Sequence, residues 1–212
     1  MRLTRGPRRA TRPLNDRPRT AEEARIQATF RAFKAGLTGE KGEGLVVAAL
    51  AELQLPALHD VILRDSRGLT QIDHLVRTRD AIVVLETKHY GGIISGEVDG
   101  RDWRQRFEGS PERFVLPNPL RQNYRHQVAV EALVATGAVS VRAHVVTTGK
   151  ARFEGELGEA IVPLAALGRL MAGSRPVSQQ WLDTAWHRLE AAAAASPALR
   201  EAHQREIASH RT

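Results

Sequence analysis

The sequence has no cysteine. A disulfide framework, thiolate-bound zinc, iron–sulfur clusters and a cysteine nucleophile are therefore excluded. This leaves the compartment open, since it removes only a need for an oxidising one. Long apolar runs are missing too. Stretches such as 45–51 fall far short of the roughly 18 residues that cross a bilayer. No apolar segment follows the basic N-terminal stretch, so no secretory signal is expected and the cytoplasm is the expected location. The eight histidines show no HExxH-type spacing, which argues against a zinc site. Neither a P-loop nor kinase motifs occur, and there is no internal repeat. Lysine is scarce, supplying four of the 31 basic residues, at positions 34, 41, 88 and 150.

Against these absences stands an ordinary globular composition, 42% hydrophobic and 26% charged over 212 residues. That length suits one domain with appendages and suffices to bury a sizeable core. The formal net charge of +7 is unevenly spread. Residues 1–34 hold ten basic and three acidic side chains, whereas residues 35–212 hold 21 of each. The whole excess therefore lies in the N-terminal segment. Its first 20 residues contain seven Arg, among them Arg8 and Arg9, and three Pro. A segment with so little apolar spacing is expected to be disordered. Clustered Arg suits non-specific phosphate contact, which releases counterions; a merely solvated arm is the competing reading.

A short helix is expected over 21–37, where Ile26, Phe30 and Phe33 recur at helical spacing. A second, GEKGEGLVVAALAEL, ends near Leu55-Pro56. Three strands follow at 59–64, 70–77 and 81–88, joined by tight turns into an antiparallel meander. A further strand is expected over 93–98. Asn118-Pro119 marks a helix start, with Asn as N-cap, and that helix runs to about Ala135. Residues 141–147 read as a strand, and 162–170, 179–195 and 198–209 as helices. The order helix, three strands, helix, strand describes a mixed α/β fold with helices covering a central sheet. Trp103, Trp181 and Trp186 read as packing or docking residues.

Side chains alternate along a strand, so Ile82, Val84, Glu86 and Lys88 share one face. A carboxylate and an ammonium thus end an otherwise apolar strand. In the preceding strand Asp73 interrupts an apolar run, on the face of Gln71 and Leu75, where Asp is disfavoured. A meander brings Asp73, Glu86 and Lys88 toward one patch. Two carboxylates there repel unless a cation binds them, and hard carboxylate oxygens suit Mg2+. Taken alone, Glu86 and Lys88 read equally as a same-face ion pair worth ~0.2–1 kcal/mol. His74, on the opposite face, reads as a satisfied core histidine.

On the helix from Asn118, the residues Gln122, His126, Val130, Leu133 and Val134 are expected to form one stripe toward the sheet, flanked by Arg121, Tyr124 and Arg125. The flanking three suit phosphate contact and, for Tyr124, base stacking. Ordinary hydrogen bonds would equally explain Gln122 and His126. In the first helix Glu43 aligns with Val47 and Leu50, while Glu40 has a structural place at the positive end of the helix dipole.

Five separated blocks resemble the NERD (nuclease-related domain) family, in that family's order, over roughly residues 37–165. They are GEKGEGLVVAALAEL, LTQIDHLV, AIVVLETKHYGGIISG, Trp103, and Phe114 followed by NPLRQNYRHQ. The family is similar to the PD-(D/E)xK restriction-endonuclease-like superfamily, whose α-β-β-β-α-β core has the order derived above. The resemblance implies a hydrolase: a Mg2+-dependent nuclease cleaving DNA phosphodiester bonds, with Mn2+ able to substitute. It implies that Asp73 and Glu86 ligate the metal with the main-chain carbonyl of Thr87, and that Glu43 reaches it directly or through water. Lys88 would orient or activate the attacking water, and Gln122 would match the polar residue of the helix after the sheet. His89 and Tyr90 follow the lysine where many relatives carry Asn beside it, a departure from the family pattern.

On this reading residues 1–34 form a basic arm, 35–172 the nuclease-like domain and 173–212 a helical extension. Arg121, Tyr124, Arg125, His126, Arg8 and Arg9 are the expected nucleic-acid contacts. The expected partner is DNA, with no membrane and no small organic cofactor; a homodimer or a separate helicase-type polypeptide stays open. The alternative is a non-catalytic nucleic-acid-binding or interaction module that keeps the fold. Deleting residues 1–20 is expected to weaken DNA affinity and flatten its salt dependence while sparing metal binding. A titration at several salt concentrations checks this, and an unchanged slope would show that the arm does not touch DNA.

Overall fold

The expected meander is formed by β1 (Ala57–Asp65), β2 (Gly68–Arg77) and β3 (Ala81–Lys88). The computed structural model describes residues 39–135, 137–173 and 177–209. The basic arm, with Arg8 and Arg9, and the helix expected over 21–37 lie outside the described residues. Seven consecutive residues of β3, Ala81 to Thr87, are buried. Such a run marks a strand covered on both faces. Its other neighbour is β7 (Ser140–Thr147), parallel to it, and β9 (Ile161–Pro163) pairs parallel with β7. The sheet order is β1-β2-β3-β7-β9.

Helices cover both faces. Ile72, Leu75, Ile82 and Val84 pack beneath α2 (Pro119–Val134) and α5 (Gln179–Ser209), the latter contributing Leu182, Ala185, Trp186 and Leu189. On the other face Val76, Val83 and Leu85 meet Val46 and Leu50 of α1, helical over 39–52, and Leu167 and Met171 of α4 (Leu167–Met171). The fold is therefore a mixed α/β sandwich, and α5 is built into its core. Among the described residues no helix is long and apolar enough to cross a membrane.

A second sheet, β6-β5-β4-β8, was not expected. It comprises β4 (Ile93–Ser95), β5 (Asp102–Arg106), β6 (Arg113–Pro117) and β8 (Arg152–Phe153). The strand expected over 93–98 thus ends at Ser95. Trp103, fully buried, anchors this sheet with Ile94 against Val145, Ile161 and Leu157 of the short helix α3 (Leu157–Ala160). Its indole N–H donates to the Glu97 carbonyl at 2.9 Å. The sheets are joined by one ribbon in which the segments after β3 and β7 run side by side. Amides of Thr148, Ala151 and Arg152 donate to the carbonyls of Lys88, Tyr90 and Gly92 at 3.1, 3.1 and 2.9 Å. Only glycine fits at position 149, because a Cβ there would lie 1.9 Å from the Tyr90 carbonyl oxygen.

Two helix expectations are corrected. The segment over 162–170 begins as strand β9 and a single 3-10 turn before α4, because Ile161–Pro163 extends the sheet beyond β7. The helices expected over 179–195 and 198–209 are one, running through Pro197. Next to that proline, Ser196 donates to the Ala192 carbonyl at 3.0 Å and accepts the Ile62 amide at 2.9 Å. Ile62 lies on β1, at the sheet edge, so α5 closes an edge that would otherwise present unpaired amides.

His74 is a buried, bonded histidine, in keeping with the sequence. Its ring nitrogens lie 2.8 Å from His59 Nδ1 and 3.0 Å from Thr87 Oγ1. Burial, then the neighbouring His59, pushes its pKa down to about 4. The folded value lies below the unfolded one, so His74 contributes stability above about pH 6.5 that is lost as pH falls toward 4. The loss approaches about 1.4 kcal/mol per pH unit within that window. His74→Gln is expected to cost about 1–3 kcal/mol at pH 7. Its deficit against wild type should shrink as pH falls from 6.5 to 4 in urea unfolding series. Parallel stability curves would overturn this.

Candidate active site

The β2–β3 ladder stops at the pair His74–Leu85. One step beyond, the Asp73 side chain takes over: its Oδ2 accepts the Thr87 amide at 2.8 Å. Glu86 alternates onto the face of Val84, in the core beneath α2, and Asp73 reaches the next residue, Thr87, from the point where β2 leaves the ladder. Asp73 and Glu86 are thus neighbours where the two strands part, Glu86 with 0% exposure and Asp73 partly exposed.

Two charged or polar side chains meet at Glu86. Lys88 Nζ lies 2.5 Å from its Oε1. His126 Nδ1, on α2, lies 3.3 Å from its Oε2. That contact lacks hydrogen-bond alignment, so both atoms are buried without a hydrogen-bond partner among the described residues. Asn123, one turn earlier on α2, is also buried, and its Nδ2 reaches the Val84 carbonyl at 3.5 Å.

These surroundings drive the two carboxyls apart. Burial pushes Glu86 up, but His126 and Lys88 outweigh it and leave Glu86 below its ordinary value. Asp73 is pushed up to about 8 by burial and then by the Glu86 charge, against the Thr87 amide that favours its ionised form. Glu43 is raised by burial, then by Asp60 and Glu86. Burial works to lower Lys88, yet the Glu86 carboxylate wins and holds the ammonium above the ordinary lysine value. The Glu86 contact thus favours the charged form of Lys88.

Glu43 feels Glu86 and Lys88 through space, but it stands beside the buried stripe of α1. That stripe runs through Gly42, Val46 and Leu50, while Val47, expected to be buried, is 36% exposed. A Cβ on Gly42 would meet Thr148 Oγ1 at 2.8 Å, so α1 passes this close to the sheet end only through glycine. Among the described residues no group of three or more His, Asp and Glu side chains gathers closely enough to hold a metal ion. The convergence is that of Asp73, Glu86 and Lys88, with Glu43 nearby. A carboxyl pushed up to about 8 by a carboxylate neighbour, and a buried carboxylate oxygen without a hydrogen bond, form a donor set that a hard cation fits.

On α2 the Asn118 cap forms as expected: its Oδ1 accepts the Leu120 amide at 2.9 Å. The stripe is shifted. Each i+4 step turns about 40°, so a row carried from Val134 back to Gln122 drifts away from Val134's azimuth. Gln122 is exposed, and Asn123 is buried instead. His126 is buried against Glu86 rather than offered to a ligand surface. Arg125 is engaged by Asp65, at 2.5 and 3.0 Å, and by the Leu69 carbonyl at 3.3 Å. Arg121 is exposed and donates to the Asp99 carbonyl at 3.2 Å, and Tyr124 is 66% exposed.

Two residues near the site were not foreseen besides Asn123. Asp60, between the register pairs His59–His74 and Val61–Ile72, has φ of 56° and is held by Gln71 at 2.7 Å and Arg200 at 2.6 Å. Counting across the expected meander would have found it. Tyr90, raised mainly by burial, sits in the field of Lys88 and Glu86; being two residues past Lys88 was its signal.

An uncharacterized protein of Bacillus anthracis is 37% identical over 100 residues, covering 45% of this chain and 46% of that protein. The chain thus spans about half the length of the curated relative it matches. Residues 38–148, just over half of the chain, match the nuclease-related domain, and this segment contains Glu43, Asp73, Glu86, Lys88 and His126. The chain belongs to the NERD, or nuclease-related domain, family.

Proposed function

We propose that this protein is a metal-dependent nuclease of the PD-(D/E)xK type that hydrolyses DNA phosphodiester bonds. The observation that carries the reading is Glu86: a fully buried carboxylate beside Asp73 and Lys88, at the point where two strands part. Membership of a nuclease-related family supports it. Asp73, Glu86 and the Thr87 carbonyl would hold Mg2+ or Mn2+, with Glu43 near enough to assist through water. The metal, when bound, would polarise the scissile phosphate and lower the pKa of a water.

The side chains supply the rest. Held in its charged form by Glu86, Lys88 suits neutralising charge that develops on the phosphate. Glu86 fixes Lys88, and His126 backs the other oxygen of Glu86. Arg121 and Tyr124, exposed on the first turns of α2, are suited to phosphate and base contact. Gln122 lies beside them, exposed to solvent, as a candidate contact to substrate. One observation favours the second reading, a non-catalytic nucleic-acid-binding module: no closed three-ligand set exists among the described residues.

Incubation of plasmid and linear DNA with Mg2+ or Mn2+ separates the two. Wild type is expected to cleave, and Asp73→Ala, Glu86→Ala and Lys88→Ala to lose roughly 10²–10³-fold in rate. Equal cleavage by wild type and the Asp73 or Lys88 variant would overturn the assignment.

Proton and cation should compete. The folded value of Asp73, about 8, lies above its unfolded value, so the folded protein retains a proton that the unfolded chain releases. The metal-free protein therefore loses stability through Asp73 as pH rises from about 4 to 8, with no further loss above. Asp73→Asn keeps the acceptor for the Thr87 amide without the charge. Its thermal midpoint is expected to gain on wild type as pH rises from 6.5 to 8.5. Mg2+ should then raise the wild-type midpoint and leave the variant's unmoved. Midpoints that run parallel with pH and respond equally to Mg2+ would refute this.

A further inference from the structure

Arg125 is paired with Asp65 and His126 is buried against Glu86, and the second sheet carries a further cationic surface. Arg152 stands opposite Ile93, Ile93 opposite Arg106, and Arg106 opposite Arg113, in one row across all four strands. Arg104 joins them two residues along β5, opposite Val115. Directly opposed residues point to the same face. The other face carries Ile94, Trp103 and Phe153 into the core, and on the arginine face Arg104, Arg113 and Arg152 are exposed while Ile93, between the strands that carry them, is 4% exposed.

Stability does not explain this placement. Like charges directly opposite one another, as Arg106 and Arg113 are, destabilise a sheet. Of the four, only Arg106 is in an ion pair among the described residues, with Glu154 at 2.8 Å. Arg113 reaches only carbonyls, of Ser110 and Glu112 at 3.2 and 3.1 Å. Arg104, Arg113 and Arg152 are exposed, as is Val115 at 69%. Residues 35–212 hold equal numbers of acidic and basic side chains, so the row is local placement and not a general excess. An anion that bridges the guanidinium groups would relieve their repulsion.

Position selects the anion. Thr147 is the register partner of Lys88, and Arg152 lies five residues beyond it on the ribbon that joins the two sheets. At about 3.3 Å per residue the separation along the strand is at most about 17 Å. That is about half of the ~34 Å repeat of a DNA duplex. A duplex with one phosphate at Lys88 therefore extends far enough to meet the row.

We propose that the outward face of the second sheet, through Arg104, Arg113 and Arg152, docks the phosphate backbone of duplex DNA. The proposal rests on the nuclease reading for the identity of the partner, and its test is independent of cleavage. Binding of a fluorescent 20-bp duplex to the full chain is measured by anisotropy without divalent metal, across a salt series. The variant Arg104→Ala/Arg113→Ala/Arg152→Ala is expected to bind at least tenfold more weakly near 0.1 M salt. Its slope of log K against log salt should fall by about 2–3, near one per lost contact.

The matching triple Lys variant keeps the charges and should recover most of the slope, which separates lost contacts from misfolding. A slope equal to wild type in the Ala variant, or one lost equally in both variants, would overturn the docking surface. If the wild type never cleaves DNA but the Ala variant still loses slope, the surface stands and the nuclease reading falls. If the wild type cleaves and the Ala variant keeps its slope, the nuclease reading stands and the surface falls.

Discussion

A fully buried carboxylate is expensive to keep ionised, and Glu86 ends a strand in which all seven residues from Ala81 to Thr87 are buried. An isolated ion there would cost several kcal/mol of desolvation. Lys88 on one oxygen and His126 behind the other offset it. This requirement ties three elements together. β3 must run far enough to bring Lys88 back over Glu86. α2 must cross β3 with His126 inward, which turns Asn123 inward and Gln122 out. β2 must part from β3 one residue before Asp73, so that a side chain replaces the ladder at Thr87.

The same arrangement sets the electrostatics of its neighbour. Once Glu86 is stabilised as the anion, Asp73 faces a fixed negative charge in a dry setting and prefers its proton. Two carboxyls side by side thus take different states, and the difference comes from which one has the cation. Lys88 is bound into this balance as firmly as the acids are. Its raised pKa suits a fixed positive charge, and a role as base would first require Glu86 to give it up.

Much of this was legible in the sequence, for reasons that are local. Tight turns at 66–68 and 78–80 defined the meander, which brings Asp73 beside the Glu86–Thr87 end of β3. Asn118-Pro119 fixed the start of α2 because capping is a matter of one or two residues. Of the second sheet only β4 was legible, as a strand expected over 93–98; β8 has two residues, too short for any periodicity, and pairs with β4 because the β3–β7 pairing continues past Lys88. Ile161–Pro163 resembles a helical segment because an apolar run of that length does not distinguish the two states, and the exposed edge of β7 decides it. Arg125 looks free in the sequence because Asp65, 60 residues away, is invisible to a local reading. Pro197 looks like a break because its compensation, Ser196 turned toward Ile62, is tertiary.

The closeness of the two sheets follows from the same pairing and constrains what can reach the site. Gly149 lets the chain after β7 lie against Tyr90, so the ribbon leaves Lys88 as a hydrogen-bonded pair and not as two separate loops. A loop could swing its arginines to wherever a ligand lay, whereas a two-stranded ribbon carries them in fixed register with the strand that holds Glu86 and Lys88. Phosphate contacts position a nucleic acid without reading its sequence. On the proposed docking of a duplex, a fixed distance between a row of guanidinium groups and a carboxylate pair would set which phosphate stands at Lys88, with no base contact at all.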